Sequence, residues 1–115
     1  MSITQINVHE LAQLLSGDPQ KLQDLQLIDV REWDEVEIAA IASFQVLPLS
    51  EYSEWAATFA ERFDPQRETL VLCHHGMRSM QMCQWLENQG FTNVKNIIGG
   101  IDAYAHLVDP TMAKY

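Results

Sequence analysis

The sequence predicts a single α/β domain with a central, mostly parallel sheet of about five strands and helices on both faces. Two observations lead to this prediction. Short apolar runs typical of strands alternate along the chain with segments of helical spacing. No repeat, low-complexity tract or linker divides the 115 residues. We place one domain at 1–115, with its core at about 3–108 and a C-terminal tail at 109–115.

The N-terminal half begins with a short extended segment, ITQI, and a helix. Asn7 precedes Glu10 at the spacing of a capping box, and Gly17 is expected to end the helix. The run LQLIDV (25–30) is predicted as a strand because it is short and apolar. An acidic turn or short helix, EWDEVEI, and a second strand, FQVL, closed by Pro48, follow it.

The C-terminal half continues this alternation. Aromatic and apolar residues at helical spacing predict a helix over 50–63, and TLVLC (69–73) is a compact apolar strand. A helix through Gln89 follows, VKNII (94–98) is the last strand, and a glycine pair opens a helix to about Leu107. Because parallel sheets bind ligands beyond the carboxyl ends of their strands, we expect the functional residues there.

Composition and charge exclude several kinds of partner. The net charge is -9 and the pI is near 4.6, so nucleic acid and anionic membrane surfaces would repel the chain. The N-terminus has neither the basic start nor the apolar core of a signal peptide, and the longest apolar run, 38–42, is too short to span a bilayer. Two cysteines without an export signal predict a reduced, cytoplasmic protein.

The segment CHHGMRS (73–79) carries the strongest chemical signal. Cys73 closes an apolar strand, Gly76 supplies the freedom for a tight turn, and a helix should open near Arg78 or Ser79. Unpaired N–H groups at a helix start favour negative charge, so the loop should favour a thiolate at its rim. The helix dipole contributes only about 0.3–1 kcal/mol. Hydrogen bonds from the loop and the charge of Arg78 must therefore supply the rest.

Cys73 has two other interpretations, a buried spacer and a metal ligand. Cysteine is often a small buried hydrophobe, but the strand-end position beside a glycine and an arginine favours a reactive thiol. Cys73, His74 and His75 are metal-binding residue types, but consecutive residues in a tight loop rarely converge on one ion. The sequence also has no second Cys/His cluster with the usual ligand spacing. We therefore expect no metal and no cofactor. Cys83 lies on one apolar helix face and is interpreted as a core residue rather than a resolving thiol.

Three blocks, LIDVREWDEVEIAAI, VLCHHGMRS and NVKNIIGGIDAY, make the chain similar to the single-domain rhodanese (sulfurtransferase) family over roughly residues 3–108. The middle block matches the C-x-x-G-x-R-S loop of that family. The resemblance implies that Cys73 takes a sulfane sulfur from a donor such as thiosulfate, carries it as a persulfide and passes it to cyanide or a thiol. It also implies that backbone amides of a substrate-binding loop cradle the outer sulfur. That loop consists of His74, His75, Gly76, Met77 and Arg78.

The resemblance also gives supporting roles to residues around the loop. Arg78 would shape the loop and attract the anionic donor, and Ser79 completes the motif. Asp29 and Arg31 match the first block, where they are either an ordinary strand-end charge pair or a support beside the loop. The chain departs from the family pattern at 39–44, which reads AAIASF where relatives often have GHIPGA. This difference concerns the neighbouring turn and not the cysteine chemistry.

Two other functions stay open. Phosphatases with similar loops have one more residue between cysteine and arginine, and this loop has no acidic residue, which disfavours phosphate or arsenate chemistry. A non-catalytic binding or regulatory module is the other alternative, but the retained Cys73, Gly76 and Arg78 favour catalysis. The expected partners are a thiosulfate-like anionic donor and a cyanide, thiol or protein acceptor of sulfur.

His74 and His75 also have two interpretations. They are either solvated loop residues, or one of them is partly protonated near neutral pH and adds positive potential at the mouth of the site. The net charge of -9 opposes an anionic donor. Because charges beyond about 8 Å are screened at physiological salt, local charges decide the outcome.

Overall fold

A computed structural model describes residues 3–115 and has one five-stranded, entirely parallel sheet. Its strands are β1 (Thr4–Ile6), β2 (Gln26–Asp29), β3 (Gln45–Val46), β4 (Thr69–Leu72) and β5 (Val94–Ile97). The strand order is β1-β5-β4-β2-β3, so β4 lies at the centre, between β5 and β2. The predicted α/β class is confirmed.

Helices connect the strands as the parallel arrangement requires. Within the described residues they are α1 (Val8–Ser16), α2 (Pro19–Asp24), α3 (Trp33–Ile38), α4 (Tyr52–Trp55), α5 (Phe59–Arg62), α6 (Met77–Asn88) and α7 (Gly100–Leu107). Two short 3-10 turns lie at Leu49–Glu51 and Ala56–Thr58. No helix in the described part of the chain combines the length and the apolar character needed to cross a membrane.

The two faces of the sheet carry separate hydrophobic cores, because successive strand residues point to opposite sides. On one face, Val71 of β4 belongs to a cluster with Phe59 of α5 and Met82 of α6. On the other face, Leu72 belongs to a cluster with Ile101 of α7. The central strand is buried along its whole length and contributes residues to both cores.

Two segments differ from the sequence prediction. The expected capping box of Asn7 and Glu10 is present, but the chain forms a second helix, α2, after Gly17. The Asp18 side chain accepts a hydrogen bond from the Gln20 N–H (2.9 Å), and a proline follows Asp18 in the first turn. Both features are helix-start signals, but the sequence analysis used Gly17 only as the end of the first helix and predicted no second helix after it.

The predicted helix over 50–63 is also interrupted. The segment is divided into α4, the 3-10 turn at Ala56–Thr58 and α5, and the backbone leaves the right-handed helical region at Thr58 (φ -104°, ψ 2°). The Trp55 indole donates to the Pro48 carbonyl (2.8 Å), and its ring packs near Phe59. Burial of these aromatic rings therefore takes priority over a continuous helix.

Candidate active site

Cys73 directly follows β4, at the carboxyl edge of the sheet where ligands of parallel sheets bind. Two hydrogen bonds from α7 hold the backbone there: the Ile101 N–H donates to the Cys73 carbonyl (2.9 Å), and the Asp102 N–H donates to the His74 carbonyl (3.0 Å). The approach is so close that a Cβ at Gly100 would lie 2.4 Å from both carbonyl oxygens. The start of α7 thus fixes the backbone that carries the candidate thiol.

The sulfur lies beneath the loop. The sequence had suggested a different position, at the rim of the loop. Cys73 is 1% exposed because it continues the buried strand β4 and packs into the same core as Met82. The loop above the sulfur is open to solvent, with Met77 79% exposed. Access to the sulfur therefore depends on the loop.

Gly76 turns the loop so that its backbone faces the sulfur. It adopts φ 104°, a left-handed conformation that favours glycine, and its N–H donates to Cys73 Sγ at 3.0 Å. The helix α6 then begins at Met77, slightly earlier than expected. Within residues 3–115, no hydrogen bond is donated by the four other loop N–H groups, which belong to His74, His75, Met77 and Arg78. Uncommitted N–H groups at a helix start suit an anion.

A buried polar chain runs from the sulfur to the far side of the loop. The Ser79 Oγ lies 3.2 Å from Cys73 Sγ, and the Ser79 hydroxyl also hydrogen-bonds with Asn96 Oδ1. The Asn96 amide nitrogen donates to the Gly76 carbonyl (3.1 Å) and to Gln5 Oε1 (3.0 Å). Asn96 stands on β5, 23 residues after Cys73 in the printed sequence. The sequence offered no local signal for its role.

Arg78 shapes the loop through a partner that sequence reasoning missed. Its guanidinium donates to both carboxylate oxygens of Glu35, at 2.7 and 2.8 Å. The hydrogen bond from Arg78 lowers the pKa of Glu35 to about 2, although burial acts in the opposite direction. The same pair raises the pKa of Arg78 further above its usual range. Since Glu35 neutralises Arg78, the pair supports the loop more than it attracts a donor anion.

Asp29 and Arg31 form a buried ion pair that reaches this loop support. Arg31 is 0% exposed and donates to both oxygens of Asp29, with Nη2 2.7 Å from Oδ2. Its other nitrogen, Nη1, donates to the Tyr115 hydroxyl at 2.9 Å and to the Glu35 carbonyl at 3.3 Å. Burial opposes the charge on Arg31, but the bonds to Asp29 and Tyr115 outweigh this effect and raise its pKa. The pair thus contacts the residue that holds Arg78.

The C-terminal tail folds back onto the loop. The Tyr115 hydroxyl donates to Glu35 Oε2 (2.9 Å). The pKa of Tyr115 is raised to about 12, and burial is the largest cause of this increase. Its ring stacks on His74 with centroids 3.9 Å apart, and its carbonyl lies 2.8 Å from His74 Nε2. Of the two histidines, His74 is therefore engaged by the tail, which the sequence had presented only as a terminal segment.

His75 lies beside the carboxylate of Asp102 on α7. The His75 Nδ1 is 3.7 Å from Asp102 Oδ2, and the His75 side chain is 61% exposed. One possible ligand atom each from His74, His75 and Asp102 lies within 4.8 Å of the others. The sequence analysis argued against a metal site because Cys73, His74 and His75 are consecutive and lack the usual ligand spacing. Asp102 of α7 is a possible third ligand that this argument did not include.

Cys83 occupies a different environment from Cys73. It is 0% exposed on α6 and belongs to the core cluster of that face. Burial raises its pKa to about 12, so it stays protonated near neutral pH. Both cysteines are free thiols. These properties suit the packing role predicted for Cys83.

Comparison with known proteins identifies relatives of this chain and of its fold. The family model described as Rhodanese-like domain matches residues 7–107. Over 95 residues the chain is 30% identical to thiosulfate sulfurtransferase GlpE of Coxiella burnetii, a match that covers 83% of this chain and 85% of that protein. A crystal structure of a rhodanese-like domain protein from Staphylococcus aureus is 23% identical, with a TM-score of 0.73 and coverage of 98% and 99%.

A longer relative contains a similar segment. The chain is 44% identical over 113 residues to the rhodanese-like/PpiC domain-containing protein 12, chloroplastic, of Arabidopsis thaliana. That match covers 98% of this chain but spans only 38% of the length of the relative. The family match, the parallel sheet and the cysteine loop after its central strand agree, and the chain belongs to the rhodanese-like domain family.

Proposed function

We propose that this protein is a rhodanese-type sulfurtransferase in which Cys73 carries the transferred sulfur. The observation that carries the proposal is the N–H of Gly76 directed at Cys73 Sγ (3.0 Å) at the end of the central strand. Hydrogen bonding to a sulfur favours its charged form, which is the nucleophile. The similarity to a named thiosulfate sulfurtransferase supports the same reaction class.

The reaction proceeds in two displacements at sulfur. The Cys73 thiolate attacks the outer sulfur of thiosulfate, the S–S bond of the donor breaks, and its electron pair leaves with sulfite. Cys73 then holds a persulfide. A nucleophilic acceptor such as cyanide or a thiolate attacks the outer sulfur, and the Cys73 thiolate is regenerated as the leaving group. No external oxidant or reductant is consumed, and ping-pong kinetics should result.

The loop residues have different roles in this reaction. The uncommitted N–H groups of the loop bind the anionic donor and then the outer sulfur of the persulfide, while the Arg78–Glu35 pair keeps the loop closed around them. The loop has four residues between Cys73 and Arg78, a smaller ring than phosphate chemistry uses. We propose that the protein operates in the cytoplasm, a reducing compartment that suits two free cysteines. The proposed donor is a thiosulfate-like anion and the proposed acceptor is a small or protein thiol, in keeping with the similarity to a named thiosulfate sulfurtransferase.

Intact-mass spectrometry tests the proposal. Incubation of the reduced protein with thiosulfate should add the mass of one sulfur atom, and a cyanide chase should remove it with release of thiocyanate. Peptide mapping should place the added sulfur on the peptide that contains Cys73. A protein that gains no sulfur while its fold is intact would instead be a non-catalytic module. Sulfur on Cys83 alone would overturn the assigned roles.

A pH comparison tests the electrostatic role of the loop histidines. His75→Ala, and likewise His74→Ala, should lower kcat/KM for thiosulfate about two- to fivefold at pH 6 and by less at pH 8, since an exposed charge contributes about 0.2–1 kcal/mol. The direction follows from protonation, because imidazole is positive at low pH and loses its charge as pH rises. His106→Ala is the matched control, because His106 also lies near Asp102 (3.6 Å) but stands in the last turn of α7, 28 residues after Arg78 in the chain. Equal losses at both pH values would discard the electrostatic role.

A further inference from the structure

We propose that Asn96 is a positioning residue for Cys73, because it holds the hydroxyl hydrogen of Ser79 away from the sulfur. The proposal deepens the proposed function, since it concerns the ionisation of the same thiol. Its basis is the buried chain from Cys73 through Ser79 to Asn96. Ser79 is 0% and Asn96 1% exposed, so water does not compete for these groups.

The orientation of the Asn96 amide follows from its partners. The Gly76 carbonyl is only an acceptor, so the Asn96 NH2 group must face it at 3.1 Å. The same nitrogen donates to Gln5 Oε1 at 3.0 Å. The other end of the amide, Oδ1, is therefore the atom that faces Ser79.

This orientation decides where the Ser79 hydrogen points. The Asn96 Oδ1 is only an acceptor, and a serine hydroxyl has one hydrogen to donate. Ser79 therefore donates to Asn96 and presents a lone pair to Cys73 Sγ, 3.2 Å away. A neutral Cys73 thiol completes the chain by donating its S–H to Ser79.

An ionised Cys73 changes this balance. A thiolate has no hydrogen to donate, so the sulfur and Asn96 Oδ1 compete for the single Ser79 hydrogen. While Asn96 holds it, the Gly76 N–H is the donor committed to the sulfur. The charged or titratable groups that act electrostatically on this sulfur include Arg78 and Cys83, both on α6. Within residues 3–115, neither of them forms a hydrogen bond with Asn96. Removing the Asn96 acceptor should thus release the Ser79 hydrogen to the thiolate.

Alkylation of Cys73 by iodoacetamide, followed by peptide mass mapping, tests the proposal without any sulfur transfer. Asn96→Leu, which keeps the approximate size but removes the acceptor, should raise the alkylation rate about tenfold at pH 6 and by a much smaller factor at pH 9.5. In a Ser79→Ala background the same substitution should have no accelerating effect, because no contested hydrogen remains. A failure of thiosulfate loading would leave this result unaffected, so the two proposals fail independently.

Ser79→Ala alone provides a second test that leaves Asn96 in place. If Asn96 holds the hydroxyl hydrogen, this substitution should leave the alkylation rate at pH 6 unchanged within about threefold, or raise it. A tenfold decrease would show that Ser79 already donates to the sulfur, and the proposal would be overturned. It would also be overturned if Asn96→Leu slowed alkylation at both pH values, or accelerated it equally with and without Ser79.

Discussion

Replacing Cys73 with serine should reduce sulfur transfer from thiosulfate to cyanide by about a thousandfold or more, because the displacement loses its nucleophile. The hydroxyl is a far weaker nucleophile than a thiolate and is not ionised at neutral pH. Steady-state release of thiocyanate measures the loss. Circular dichroism should show the fold retained, since the replacement is nearly equal in size and keeps a polar atom near the Gly76 N–H.

Cys83→Ala is the matched control for this prediction. Cys83 lies on α6 in the same core and is also buried, but its pKa of about 12 keeps it protonated. Its replacement should cost about 1 kcal/mol of stability through a small cavity and leave kcat/KM within about twofold. If Cys83→Ala abolished transfer as completely as Cys73→Ser, a two-thiol mechanism would replace the one proposed here.

The residues of the site that could be predicted from the sequence lie at the ends of predicted strands: Asp29 and Arg31 at one strand, and the cysteine loop at another. Cys73, Gly76 and Arg78 fall within one short loop, and their relation to a strand end and a helix start can be read from local periodicity. Their partners come from distant elements. Glu35 stands 43 residues before Arg78, and Asn96 stands on the neighbouring strand β5. No local pattern distinguishes these side chains from ordinary polar residues.

The contacts of the C-terminal tail could not be predicted for the same physical reason. Residues 109–115 carry no regular apolar period, so the sequence presented them as a terminal segment. The contacts of Tyr115 with Glu35 and Arg31 span 80 and 84 residues, and they exist only once the sheet has brought α3 and the end of β2 beside the loop. The tail is thus ordered by tertiary contacts that propensity does not encode.

Fold class was easier to predict than helix boundaries. The alternation of apolar runs and helical segments reflects the two-sided burial of a parallel sheet, a property of the whole chain. Boundaries depend instead on single contacts, such as the Asp18 cap of α2 or the Trp55 bond to the Pro48 carbonyl. These contacts override average spacing at particular residues.

Gly100→Ala should damage both stability and transfer. A Cβ there would lie 2.4 Å from the carbonyl oxygens of Cys73 and His74, and the residue has φ 60°. The clash and the left-handed backbone together should lower the free energy of unfolding by about 2–5 kcal/mol. The backbone must move to relieve the clash, and a displacement of about 1 Å at the sulfur should lower kcat/KM about a hundredfold. Urea unfolding and steady-state kinetics measure the two effects.

Gly90→Ala separates the backbone cost from the clash. Gly90 also has a left-handed backbone (φ 95°), but a Cβ there meets no atom within 4 Å. It should therefore lose only about 1–2 kcal/mol of stability and keep its kcat/KM at a temperature where it is folded. A selective loss of transfer in Gly100→Ala would show that the contact between α7 and the Cys73 backbone positions the sulfur. If both variants lost stability alike and both kept full transfer, the start of α7 would have no part in shaping the site, and the loop would hold its form from Gly76 and Arg78 alone.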